Sequence, residues 1–172
     1  MNLLRDLLPN VTDLPPVNGV AVFVIGEQLN ANKTSNERYA CTGTFMHAVC
    51  TLAGIDDYMV YLRATSMRRN LFRPGQLMLK STMCKNAELM LKHFEAYGAF
   101  YGKDVRARQV LLCGAWARDA FNFTGDCGRQ SSDPANAVTW VPHPSGRNRF
   151  YNDPKNRDAV RKLLGLVFAH VL

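Results

Sequence analysis

Apolar residues in this chain fall into two kinds of run: short unbroken stretches, and longer ones with apolar positions three or four apart. The first unbroken stretch, Val20-Ala21-Val22-Phe23-Val24-Ile25, is rich in β-branched residues and has no polar alternation, as expected of a strand covered on both faces. Residues 58–62, 110–113 and 138–141 share that character and predict three more strands. Helices are predicted over 43–54, stopped by Gly54; over 86–99, with Leu89, Met90, Phe94 and Tyr97 near helical spacing; and over 115–121. The clearest helix is the last. Asp153 is positioned to cap it, Pro154 suits its first turn, and Val160, Leu163, Leu164, Val167 and Val171 form one stripe. Strands alternating with helices predict an α/β fold: a three-layer α/β/α domain around a mostly parallel four-stranded sheet.

Composition narrows this further. With 172 residues, 47% hydrophobic and 20% charged, the chain reads as one domain over 1–172 that buries its own core, which excludes disordered and collagen-like classes. The five cysteines at 41, 50, 84, 113 and 127 include no CxxC pair and suit reduced thiols; no metal site or cofactor is expected. The opening MNLLRDLLPN is broken by Arg5, Asp6 and Pro9 before a signal-peptide core forms, and no apolar stretch approaches the ~20 residues of a membrane span. A soluble, cytoplasmic monomer is expected, with no membrane partner. Residues 1–60 carry 3 basic and 6 acidic side chains, whereas 61–172 carry 18 and 8. Such a basic surplus suits a polyanion or a solvated surface equally.

In parallel sheets ligands bind at the carboxyl ends of strands, which directs attention to the loops over 26–42 and 143–152. The first begins Gly26-Glu27-Gln28-Leu29-Asn30 and offers a close backbone approach, a carboxylate and two amides. In the second, Pro142 and Pro144 bracket His143, and Ser145-Gly146 then leads to Arg147, Asn148, Arg149, Phe150, Tyr151 and Asn152.

Taken together, these loops resemble the uracil-DNA glycosylase superfamily. The likeness rests on Gly26-Glu27-Gln28 after an apolar strand, on His143-Pro144-Ser145 late in the chain, and on Leu111-Leu112-Cys113-Gly114-Ala115-Trp116-Ala117, which resembles the superfamily's central strand and following helix. The resemblance implies a uracil-DNA glycosylase-like fold and a monofunctional DNA glycosylase. Such an enzyme flips out a non-standard pyrimidine, uracil or a modified base such as glucosylated hydroxymethylcytosine of phage DNA, and hydrolyses its N-glycosidic bond to leave an abasic site. Alternatives are a catalytically inactive nucleic-acid-binding relative and a hydrolase of free nucleosides or nucleotides.

It also implies roles for residues. His143 stabilises the oxyanion that develops on the departing base, while Glu27, Gln28 and Asn30 orient water or read the base. Gly26, Tyr39, Phe45 and Ser145 complete the substrate pocket, with Tyr39 or Phe45 stacking on the flipped base. Arg68, Arg69, Arg73, Arg147, Asn148, Arg149 and Lys155 are expected to contact DNA. The departures are specific. The best-known uracil enzymes supply Asp or Asn followed by Pro where this chain has Gln28 and Leu29, and Gln28 cannot act as a base. Gly-Glu-Gln resembles the first motif of an iron–sulfur branch, but the cysteine spacing lacks that branch's pattern, so no iron–sulfur cluster is expected. Arg147 stands where many relatives present a wedging Leu.

Overall fold

A computed structural model describes residues 13–28, 41, 44–133, 135–145 and 147–172. The elements, in chain order, are β1 (Val20–Gln28), α1 (Thr44–Ala53), α2 (Tyr58–Ala64), β2 (Met67–Phe72), α3 (Lys80–Tyr101), β3 (Ala107–Cys113), α4 (Ala115–Ala120), β4 (Gly128–Asp133), β5 (Asn136–Val141) and α5 (Pro154–Val167). The sheet has five strands in the order β2-β1-β3-β5-β4. Neighbours pair in parallel except at the β4 edge, where β4 runs antiparallel to β5.

Helices cover both faces because β1 and β3 alternate between two apolar sets. Phe23, Ile25 and Leu112 face Met83, Met90, Phe94 and Tyr97 of α3 and Ala117 of α4. Phe23 stacks on Phe94 at 4.6 Å between ring centroids. Val22, Val24, Leu111 and Cys113 face the other way, against Val49 and Cys50 of α1, Tyr61 of α2 and Val160, Leu164 and Val167 of α5. The expected stripe on α5 is therefore core, and its cap is as the sequence implies: Asp153 accepts the Lys155 N–H and Pro154 opens the helix.

Three elements differ from expectation. The strand predicted at 58–62 is helix α2. Its Tyr and Val residues favour strands, but Asp57 caps the N-terminus by accepting the Met59 N–H, and Tyr61 and Ala64 are buried one turn apart. The edge strand on that side is instead β2, with sequence MRRNLF, buried along its whole length although two of its six residues are arginines. The fifth strand, β4, was absent from the expectation of four, because the edge sequence GRQSSD has no apolar pattern to reveal it.

An ion pair makes one of the β2 arginines tolerable. Arg69 Nη1 lies 2.9 Å from Asp13 Oδ1, and His93 Nε2 of α3 lies 2.8 Å from Asp13 Oδ2. Burial acts to raise the Asp13 carboxyl, but the hydrogen bonds and charges of His93 and Arg69 outweigh it and hold the group below its ordinary 3.8. A depressed carboxylate stabilises the fold above its unfolded pKa, and that contribution is lost as the pH falls through the folded value. Asp13→Asn is thus expected to cost about 3 kcal/mol at neutral pH, since it strands a buried guanidinium. It is also expected to remove the part of the acid destabilisation that lies below pH 3.8. Urea unfolding across acidic pH measures both.

Among the described residues no helix is long and apolar enough to cross a membrane.

Candidate functional site

The strand order creates a switch point. From β1 the chain passes through α1 and α2 on one face to β2, then through α3 on the opposite face to β3, on the other side of β1. The connections diverge at the carboxyl ends of β1 and β3, the place where ligands bind in sheets of this kind. Glu27 occupies it from β1. Its half-buried carboxylate accepts backbone hydrogen bonds from Ala115 and Trp116, at the start of α4. Burial raises the Glu27 pKa above its ordinary 4.5, and those two N–H donors only partly offset it.

Gly114 is required for this contact. Its φ of +99° is a conformation that side chains rarely adopt, and an added Cβ would collide with the Glu27 carboxylate. The Gly114 carbonyl accepts the indole N–H of Trp140 at 2.9 Å, and the Gly114 N–H donates to the Val141 carbonyl. The crossing from β3 to α4 is thereby fixed against β5.

On the other side of β1, four chain segments meet around Gly26. A Cβ on Gly26 would stand 2.6 Å from Asn70 Oδ1, 3.1 Å from Cys41 Sγ and 3.5 Å from Phe45 Cε2. The glycine is demanded by this close approach. Phe45 in turn meets the His143 ring edge to face, at 5.6 Å between centroids and 71° between planes. β1, β2, the start of α1 and the loop after β5 thus contribute Gly26, Asn70, Phe45 and His143 to one cluster at the carboxyl ends of the strands, with Cys41 beside them.

The loop that carries His143 is tied to itself. The His143 carbonyl accepts the Ser145 N–H at 2.8 Å and Asn148 Nδ2 at 3.1 Å, while the Tyr151 hydroxyl donates to the Pro142 carbonyl at 2.6 Å. Burial lowers the pKa of the half-buried His143 ring below 6.5, so the imidazole is neutral at neutral pH. A neutral ring still presents one N–H donor, held by a braced backbone.

Several expected site residues have different positions or partners. Arg68 and Arg69 are buried in β2, not in a basic loop, and neither is a surface contact for phosphate. The Gln28 amide donates to the Arg73 and Gln76 carbonyls, both at 2.7 Å, and so holds the turn after β2. Asn148 spends its amide nitrogen on His143 and its oxygen on the Phe150 N–H, so it braces the loop. Arg73 is half-buried at that turn, whereas Arg147, Arg149 and Lys155 are exposed. Asn30 and Tyr39 lie outside the described residues.

Sequence reasoning missed Asn70 and Cys41. Asn70 follows two arginines in what reads as a polar loop, and only the pairing of Gly26 with Asn70 brings its carboxamide under β1. A buried polar residue on a strand is the structural signal for it.

Arg68 differs sharply from its neighbour. Among the described residues it has no carboxylate within ion-pair distance, and its buried Nη1 has no hydrogen-bond partner. Its charge acts on the Cys41 thiol and the Tyr61 hydroxyl. Burial pushes Cys41 up to about 12 and Tyr61 well above its ordinary 10.0, so both stay neutral and neither balances the guanidinium. Among the described residues, then, no anionic group offsets the positive charge beneath the site. Among the described residues no group of three or more His, Cys, Asp or Glu side chains is arranged to hold a metal ion. No protein-family model matches the chain, and no curated protein sequence does.

Proposed function

We propose that the protein is a DNA glycosylase of the uracil-DNA glycosylase type, which extrudes a non-standard pyrimidine and hydrolyses its N-glycosidic bond. The observation that carries this reading is the convergence of Gly26, Asn70, Phe45 and His143 at the carboxyl ends of the strands. The helix-covered parallel sheet is consistent with the three-layer fold that the reading requires.

The chemistry follows from what the bond needs. Cleavage leaves positive charge on the sugar and negative charge on the departing base, so donors and cations must face the base and a water must be held at the sugar. His143 donates from a braced loop to the base oxygen, Phe45 stacks on the ring, and Asn70 reads its edge. The Arg68 charge lowers the energy of the base anion without touching it. Glu27 accepts two N–H bonds and retains lone pairs with which to orient the water. Arg147, Arg149 and Lys155 lie exposed on and just beyond the His143 loop and suit phosphates of a DNA partner bound to a cytoplasmic monomer. Among the described residues the site cluster contains no lysine, which favours simple hydrolysis over a Schiff-base route.

The test is base release. Duplexes carrying uracil, hydroxymethylcytosine or glucosylated hydroxymethylcytosine are incubated with the protein and then treated with alkali. Strand breaks with one substrate identify it. Binding without release from any of them rejects hydrolysis in favour of a nucleic-acid-binding relative. That second reading draws support from Glu27, whose carboxylate is engaged by α4, and from Gln28, which is engaged by the turn after β2.

Arg68 supplies a sharper check. Arg68→Met is expected to slow base release about tenfold, because it removes the charge facing the anion. The same change should leave the urea midpoint unchanged or raise it, since it removes a buried cation that has no carboxylate partner among the described residues. A rate unchanged from the parent removes Arg68 from the mechanism.

A further inference from the structure

We propose that a groove on the α3–α4 face of the sheet, remote from His143, is a second ligand site for a mononucleotide-sized planar anion. The groove encloses about 560 Å³, within the range of roughly 300–1,000 Å³ typical of small-molecule sites. It exists because the helical layer there is incomplete: α4 has only six residues, and α3 lies over β2 and β1, where Phe94 and Tyr97 meet Phe23. Val110 of β3 and its register partner Val138 of β5 are left as an apolar, half-exposed floor. Phe121 and Phe123 form an aromatic wall.

The charge at one end defines the ligand. Arg108 lines the groove, with its guanidinium carbon 5.7 Å from the Phe23 ring centroid. On its other side is Gly98, where an added Cβ would stand 3.0 Å from Nη2. The guanidinium thus lies close to a ring and to the α3 backbone, and its buried Nε has no hydrogen-bond partner. Among the described residues no carboxylate lies within ion-pair distance of it, whereas Arg69 has Asp13 and Arg118 has Asp119. A half-buried guanidinium with no carboxylate partner among the described residues is a ready partner for phosphate or carboxylate oxygens.

The rest of the lining selects the body of that anion. Gln130 and Asn136 line the groove, and each spends its amide nitrogen within the protein, on the Thr124 carbonyl and on Asp133, which leaves the amide oxygens as their acceptors. Such acceptors match ring N–H or amino donors. A flat ring with donor groups, seated on valines against an aromatic wall and carrying one anionic group towards Arg108, satisfies all three features. A nucleoside monophosphate has that chemistry. The site does not depend on the glycosylase reading.

The test uses the full chain with adenosine 5′-monophosphate, adenosine and inorganic phosphate as probes, followed by calorimetry and by methyl NMR of the valines. The monophosphate is expected to bind with Kd below about 1 mM and to shift the Val110 and Val138 methyl signals, with the other two probes at least about tenfold weaker. Arg108→Gln should weaken the monophosphate about tenfold, and Val138→Trp, which fills the groove, should abolish its binding. Absence of binding in the millimolar range overturns the proposal. So does binding that leaves those valine signals unmoved, or that survives both substitutions in folded variants. Equal affinity for phosphate alone would reject the planar-ligand assignment.

Discussion

His143→Ala is expected to reduce base release about 100-fold while changing DNA affinity by less than about threefold, because the ring donates to charge that exists only as the bond breaks. The loop should survive the change. Its bracing runs through backbone groups, the His143 carbonyl to Ser145 and Asn148 and the Pro142 carbonyl to Tyr151, none of which is the imidazole. Single-turnover rates on the substrate identified by alkaline cleavage, beside a binding titration, measure the two effects separately. The pH profile gives a second check. Burial holds the His143 pKa below its ordinary 6.5, so loss of rate through protonation of the ring should set in at a lower pH than for an unshifted imidazole. A parent-like rate in the alanine variant would falsify the assignment of His143 as the oxyanion donor.

Gly114→Ala is expected to be the most damaging single change to folding, at about 3 kcal/mol or more. Two independent terms add. A φ of +99° with a ψ of 166° lies in backbone space that is essentially restricted to glycine, and the new methyl would occupy the volume of the Glu27 carboxylate. Glu27 must then leave the Ala115 and Trp116 N–H groups, which uncouples β1 from α4. The signature is a lower urea midpoint with an unchanged slope. Adding Glu27→Ala removes the collision but not the backbone strain, so the double variant should recover about 1 kcal/mol relative to additivity. If Gly114→Ala alone shifts stability by under about 0.5 kcal/mol, the packing described for this crossing is wrong.

Much of the sheet is legible from pattern alone. β1 is an unbroken apolar run because it is covered on both faces, β3 and β5 carry shorter apolar stretches over 110–113 and 138–141, and α5 announces itself through a cap, a proline and an apolar stripe. The failures have physical causes. α2 is built from residues that favour strands and is decided by its Asp57 cap and the burial of Tyr61. β2 was hidden by Arg68 and Arg69: charge reads as surface unless a partner 56 residues away, Asp13, is known to neutralise it. The polar edge strand β4 has only backbone pairing with β5 to define it.

The candidate site divides in the same way. Glu27 and His143 stand out in sequence because each ends an apolar strand, and that local logic places them at the carboxyl edge without any knowledge of the fold. Their partners come from other parts of the chain. Asn70 reaches Gly26 through strand pairing, Phe45 reaches His143 from α1, and Arg68 passes from an expected phosphate contact to a buried cation that acts on Cys41 and Tyr61. Periodicity records what each segment buries, a property of neighbouring residues, and so the chain alone specifies its main strands, its last helix and the two loops that leave the sheet. Which side chains share a cluster, and whether a charge is paired or stranded, depends on contacts between segments tens of residues apart, and only the folded arrangement sets those.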